Sequence, residues 1–120
     1  MADEALFIGW GEVVRGRERK AVEVFNESIE YYGRLQQAGR LERFDVVLLE
    51  PNGRHGGYMV LHGTHQQLDA VREDDEFRDV LVAASLVVEE LCVAEGATDA
   101  GLAPWIERFQ AQIATMHAAT

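Results

Sequence analysis

Two histidines lie three residues apart in the segment VLHGTHQQLDAV, residues 60 to 71. Histidine is the side chain best suited to acid–base or metal chemistry near neutral pH. The helical metalloprotease pattern, two histidines four apart with a glutamate beside the first, is absent. Thr64 followed by Gln67 instead matches a capping box, which satisfies backbone donors where a helix begins. We therefore predict no metal site: His62 ends a strand, and His65 lies solvated in a first helical turn.

His62 is also a candidate for the lining of a ligand-binding cavity, together with the aromatic residues Trp10 and Tyr58. An apolar cavity with a few polar groups is the usual form of a small-molecule site. In such a site His62 would act as a general base, with Glu12 or Glu90 supplying a carboxylate. The structural alternative places Trp10 in the core and leaves His62 merely hydrogen-bonded at a strand end. The sequence shows no phosphate loop, dinucleotide fingerprint or serine nucleophile elbow, so it predicts no cofactor and assigns no catalytic residue.

The charge balance of the chain disfavours two classes of partner. Eleven basic and 21 acidic residues give a formal net charge of -10, which disfavours binding to nucleic acid or to an anionic membrane. The N-terminal segment is acidic, and no apolar run approaches the ~18 residues of a membrane span. The sequence predicts a cytoplasmic protein in which Cys92, the one cysteine, is a small buried hydrophobe.

Hydrophobic periodicity divides the chain into strands and helices. Alternation predicts strands, and apolar steps of three and four predict helices. The second helix is expected to be broken within REDDEF, where Asp74 or Asp75 would cap a new segment. In chain order, the predicted elements are a strand at 5–14, a helix at 18–38, strands at 43–50 and 58–64, a broken helix, a strand at 89–95 and a helix at 103–117.

The C-terminal helix carries an apolar stripe in which Leu102, Ile106, Phe109, Ile113 and Met116 follow at alternating steps of four and three. A stripe this regular requires burial. The stripe could be buried against the domain's own sheet or against a second subunit, and packing within the chain is slightly favoured.

The element order is the ferredoxin-like βαββαβ unit with an additional C-terminal helix, an α+β fold with a four-stranded antiparallel sheet. We predict a single domain over residues 1–120, with its core at about 5–96. Helices cover one face of such a sheet. The first and third strands are apolar on both faces, so the second face is expected to meet an identical copy across a two-fold axis. The sequence thus predicts a homodimer through the sheet face.

With this element order and the segment REDDEFRDVLVAASLVVEELCV, the chain resembles the dimeric α/β-barrel superfamily, in which two ferredoxin-like sheets pack face to face. The resemblance covers residues 5 to about 96. The resemblance implies a dimeric barrel, in a superfamily that includes cofactor-independent monooxygenases, haem-degrading enzymes and stress-responsive proteins. No catalytic set of that superfamily carries over to named residues of this chain.

Two functions follow from these observations. The first is binding of a small apolar or aromatic ligand, with the possibility of a cofactor-independent reaction. The alternative is a non-enzymatic homodimeric or partner-binding module that uses the stripe from Leu102 to Met116 as its contact surface. A closed cavity with converging polar groups would favour the first, and an exposed apolar patch the second.

Overall fold

Strands and helices follow one another in the order predicted from the sequence. The computed structural model describes residues 3–118. A short 3-10 helix, Asp99–Gly101, precedes the last helix. The strands are β1 (Glu4–Trp10), β2 (Arg43–Leu48), β3 (Gly57–Gly63) and β4 (Cys92–Ala97), and the helices are α1 (Glu18–Gln37), α2 (His65–Glu73), α3 (Asp75–Ser85) and α4 (Leu102–Ala118).

The four strands form one antiparallel sheet in the order β2-β3-β1-β4. The predicted ferredoxin-like fold with an additional C-terminal helix is confirmed. Because side chains alternate between faces along a strand, the register decides which residues can meet. Gly9 pairs with Tyr58, and Ala5 pairs with His62.

The inner face of the sheet packs against α1, α2 and α3. Leu6 and Leu61 are fully buried opposite each other on β1 and β3. The helices contribute Tyr31, Tyr32, Leu35, Leu68, Val71 and Phe77 to the same core. The residues that form this cluster recur at helical spacing on the helices and at every second position on the strands, as burial on one face requires.

Side-chain caps set the helix boundaries at the predicted break. The Thr64 hydroxyl accepts from the Gln67 backbone N–H at 3.1 Å, and the Gln67 side chain accepts from the Thr64 N–H at 2.8 Å. This confirms the capping box. Asp74 ends α2 and caps α3, accepting from the Glu76 N–H at 3.3 Å. The predicted break within REDDEF is therefore also confirmed.

The fourth strand begins later than predicted. Val87 and Glu89 form backbone hydrogen bonds with the segment that follows β1, and an isolated bridge joins Val13 and Val88. The chain then turns at Glu90, whose φ is 54°, and β4 starts at Cys92. This register puts Cys92 on the outer face of the sheet, where it is exposed, so the prediction of a buried cysteine is wrong.

Helix α4 does not pack against its own domain. Every residue from 102 to 117 is exposed, so the slightly favoured packing within the chain is contradicted. The five residues of the apolar stripe do lie on a single helix, as predicted. Within the described residues, no helix has the length and apolar character needed to cross a lipid bilayer.

Candidate functional site

A cavity of about 300 Å³ lies between the inner face of the sheet and helices α1 and α3. Its size is at the lower end of the roughly 300–1,000 Å³ of small-molecule sites. The walls are mainly apolar and include Ile8, Trp10, Val24, Phe25, Met59 and Leu81. This partly open cavity is a place where a single chain could hold a ligand.

Trp10 reaches the cavity because it shares a strand face with Leu6 and Ile8. Its ring meets Phe25 of α1 edge to face, with ring centroids 6.1 Å apart. The indole also passes over Gly56, where an added Cβ would lie 2.6 Å from the Trp10 ring nitrogen. The glycines before β3 therefore make room for the indole as well as providing a turn.

Three polar side chains border this cavity. The Ser28 hydroxyl donates to the Val24 carbonyl at 2.8 Å within α1. Burial raises the pKa of Tyr32, so its phenol stays protonated and can donate a hydrogen bond. Glu18 lies at the start of α1, where backbone N–H groups, its own and that of Gly16, lower the pKa of its exposed carboxyl. An apolar site with a hydroxyl, a phenol and a carboxylate at its margin suits an aromatic or aliphatic molecule with few polar groups.

Tyr58 and His62 lie on the other side of the sheet from Trp10. They alternate with the buried Met59 and Leu61 and project from the outer face of β3. Of the predicted ligand-binding residues, the structure brings Tyr58 and His62 to one face and Trp10 to the opposite one. One cavity therefore does not contain all three.

An aromatic pair occupies the centre of the outer face. Phe7 stacks on Tyr58 with ring centroids 5.7 Å apart and an interplanar angle of 30°. The Phe7 ring folds over Gly9, where an added Cβ would lie 2.6 Å from the ring. Phe7 is nevertheless 37% exposed, so the described chain leaves this apolar surface partly uncovered.

His62 forms a hydrogen-bonded chain with two residues of β2. Its Nε2 lies 2.9 Å from Asp45 Oδ2, and Arg43 Nη1 lies 2.9 and 2.7 Å from the two Asp45 oxygens. The hydrogen bond from His62 lowers the pKa of the Asp45 carboxyl, with a further contribution from Arg43 and against an opposing desolvation. Because an ionised carboxylate only accepts, Nε2 is the donor in this hydrogen bond. The carboxylate beside His62 is Asp45, and not Glu12 or Glu90 as predicted.

His65 lies apart from His62 on an exposed corner. Its two ring nitrogens are each 3.0 Å from a carboxylate oxygen, one on Glu4 and one on Asp69. The hydrogen bond to Glu4, followed by the charges of Asp69 and Glu4, raises the pKa of His65. Between residues 3 and 118, no group of three or more His, Cys, Asp or Glu side chains is placed to hold a metal ion.

Sequence reasoning missed Asp45, Phe7 and Tyr32. Asp45 is the one acidic residue in the strand RFDVVL, on the same face as Arg43, and this isolated polar pair in an apolar strand was the available signal. The residue pattern places both Phe7 and Tyr32 on apolar faces, as it does many core residues. Only the strand register and the helix packing show that Phe7 stacks on Tyr58 and that Tyr32 borders a cavity.

Neither a protein-family model nor a curated protein sequence matches the chain. Several solved structures share its fold. A dimeric protein of unknown function with a ferredoxin-like fold, from Bacteroides fragilis, aligns with a TM-score of 0.59 at 10% identity, covering 78% of this chain and 95% of that one.

Two further neighbours come from other bacteria. A variant of SnoaB, a cofactor-independent oxygenase from Streptomyces nogalater, aligns with a TM-score of 0.59 at 13% identity, covering 82% of this chain and 93% of that one. HapK from Hahella chejuensis gives 0.55 at 18% identity, with coverages of 79% and 92%. At these identities the comparison establishes the fold alone, which is ferredoxin-like.

Proposed function

We propose that this protein binds a small apolar or aromatic molecule in the cavity between the sheet and helices α1 and α3. The observation that carries the proposal is the cavity itself, about 300 Å³ in volume and walled by Trp10, Phe25 and aliphatic side chains. Filling this space with an apolar ligand removes nonpolar surface from water, and two aromatic rings in edge-to-face contact offer a further partner for a flat molecule.

The fold is shared with a cofactor-independent oxygenase, so oxygenation of the bound molecule without a cofactor, with dissolved dioxygen as the oxidant, is the reaction class to test first. Trp10 would contact such a ligand, and the protonated Tyr32 phenol would donate to a carbonyl or hydroxyl oxygen on it. The proposed binding rests on the cavity chemistry, whereas the reaction class rests on the shared fold, and one scaffold can support many functions.

We also propose a homodimer formed through the outer face of the sheet. The Phe7–Tyr58 pair and its apolar neighbours would then be buried against the same surface of a second copy. A neighbour with this fold is described as dimeric. In the dimer, Tyr58 and His62 would line the space between two sheets, where they remain candidates for contact with a ligand. The net charge of -10 disfavours binding to nucleic acid or to anionic membranes, and the single cysteine supports the proposal of a cytoplasmic location.

Tryptophan fluorescence tests the cavity proposal directly. In a Trp105→Phe background, Trp10 is the one remaining tryptophan, and a panel of aromatic and aliphatic compounds is screened for fluorescence change and thermal stabilisation. Ala84→Leu, which fills part of the cavity, should abolish both signals for any compound that binds. The matched control is Ala70→Leu on the exposed surface of α2, which should leave binding unchanged.

The alternative is a module that binds partners without a small ligand. It would be favoured if no compound perturbs Trp10, or if Ala84→Leu and Ala70→Leu behave alike toward every compound. The specific observation in its favour is the exposed stripe of α4, since monomeric soluble proteins rarely expose a continuous apolar surface.

A further inference from the structure

The apolar stripe of α4 consists of Leu102, Ile106, Phe109, Ile113 and Met116, and we refer to it as the α4 seam. Each of these residues is between 48 and 70% exposed. Core residues of the domain, by comparison, are at most 9% exposed. Five large apolar side chains in this state on one helix face need a partner outside the described fold.

The spacing of the α4 seam indicates what that partner is. Alternating steps of four and three place Ile106 and Ile113 at the a positions of a heptad repeat, and the other three residues at d positions. The exposed Trp105 lies at the neighbouring g position and widens this apolar face. Apolar residues at successive a and d positions suit the groove of another helix. Ile at a with large apolar residues at d is close to the pattern that favours pairing of two helices.

Charge supports a second copy of the same helix. Helix α4 contains one acidic residue, Glu107, and one Lys or Arg residue, Arg108, which cancel. The whole chain carries -10, so two copies repel each other over most of their surfaces. A neutral apolar helix is a part of the molecule that two such chains can bring together without juxtaposing like charges.

The residues just before α4 are hydrogen-bonded to the residue that precedes β1, which anchors the start of the helix. The Thr98 N–H donates to the Asp3 carbonyl at 2.9 Å, and the Gly101 N–H donates to the Thr98 carbonyl at 2.8 Å. From this anchor, 17 residues extend over about 25 Å. An anchored helix loses less freedom on association than a free C-terminal tail would.

We propose that α4 of one chain packs along the α4 seam of a second copy, forming a two-helix contact between identical chains. Five seam residues are fewer than the roughly 20–30 residues a side of a standard interface. The pairing therefore adds to the proposed contact through the outer sheet face, on which it partly rests, and it is independent of the ligand cavity. Linking two contacts raises the effective concentration at each.

Disulfide cross-linking in the full-length chain tests the pairing. In a Cys92→Ser background, Phe109→Cys places a thiol at the middle of the seam, where it meets its own copy in either a parallel or an antiparallel pair. Ala111→Cys places a thiol on the opposite side of the same helix and is the matched control. Under mild oxidation, most Phe109→Cys chains should form cross-linked dimers and few Ala111→Cys chains should. Equal cross-linking of the two variants would overturn the proposal.

Sedimentation of Phe109→Glu and Ala111→Glu provides a second readout. Both sites are exposed and lie outside the folded core, so both variants should fold. Phe109→Glu should raise the dissociation constant of the dimer by about tenfold or more, since it puts a charge into the seam. Ala111→Glu should leave it unchanged. An unaltered dissociation constant for Phe109→Glu would contradict the α4 contact, whatever the effect of substitutions on the outer sheet face.

Discussion

Asp45 accepts a hydrogen bond from His62 across two paired strands, at 2.9 Å between Oδ2 and Nε2. The β2–β3 register makes this contact possible, because it pairs His62 with Arg43, and Asp45 is the next residue of β2 on that face. His62 is 7% exposed, so its ring is held rigidly beside a more exposed carboxylate. The pair fixes which imidazole nitrogen faces away from the carboxylate.

The first prediction concerns the titration of Asp45. His62→Ala should raise the Asp45 pKa toward its ordinary value, because the lost hydrogen bond is the main cause of the lowering. Carbon-13 NMR of the carboxyl group measures this directly. The control, His65→Ala, removes a histidine that does not contact Asp45 and should not change its pKa. Equal shifts in the two variants would contradict the assignment.

This shift has a defined effect on stability. The folded-state pKa of Asp45 is lowered, so its contribution is present above the unfolded-state pKa and is lost as the pH falls through the folded value. Half of the side chain is exposed, which limits the contribution to about 1 kcal/mol or less. Denaturant melts should therefore lose less stability on acidification in His62→Ala than in the natural sequence.

Local signals in the sequence predicted most of the fold. The capping box at Thr64, the break near Asp74 and the two-residue alternation around Leu61 each depend on neighbours within a few residues. The position of β4 depends on a bridge between Val13 and Val88 and on a positive φ at Glu90. Residues distant in sequence determine these features, and no local pattern indicates them.

The candidate site was harder to predict for a related reason. Both faces of β1 and β3 are apolar, so alternation groups Trp10 with Ile8 and His62 with Tyr58 without showing which group faces the helices. The cavity depends on the gap left between α1, α3 and the sheet. The cavity results from how these elements pack in three dimensions, and the pattern of residue types does not specify that packing.

The second prediction concerns the close approach of Gly56 to Trp10. Gly56→Ala should destabilise the protein by roughly 1–3 kcal/mol, because the new methyl group would overlap both the Gly11 carbonyl oxygen and the Trp10 indole, and it should weaken any ligand signal from Trp10. Gly33→Ala is the control. Gly33 lies within α1 with open space around it, so alanine should stabilise the helix by about 0.5–1 kcal/mol. Urea denaturation measures both, and equal effects would show that the indole is not constrained by Gly56.

The third prediction concerns the outer face of the sheet. Val60 pairs with Phe7 at the centre of this face, so Val60→Glu would put a charge into the proposed contact between two sheets. We expect the mass from analytical ultracentrifugation at micromolar concentration to fall from that of two chains to that of one. Val82→Glu makes the same change at a valine of α3 that is 61% exposed, and should leave the mass at two chains. A natural protein that sediments as one chain, or a Val60→Glu variant that remains dimeric, would show that the second copy does not bind through this face.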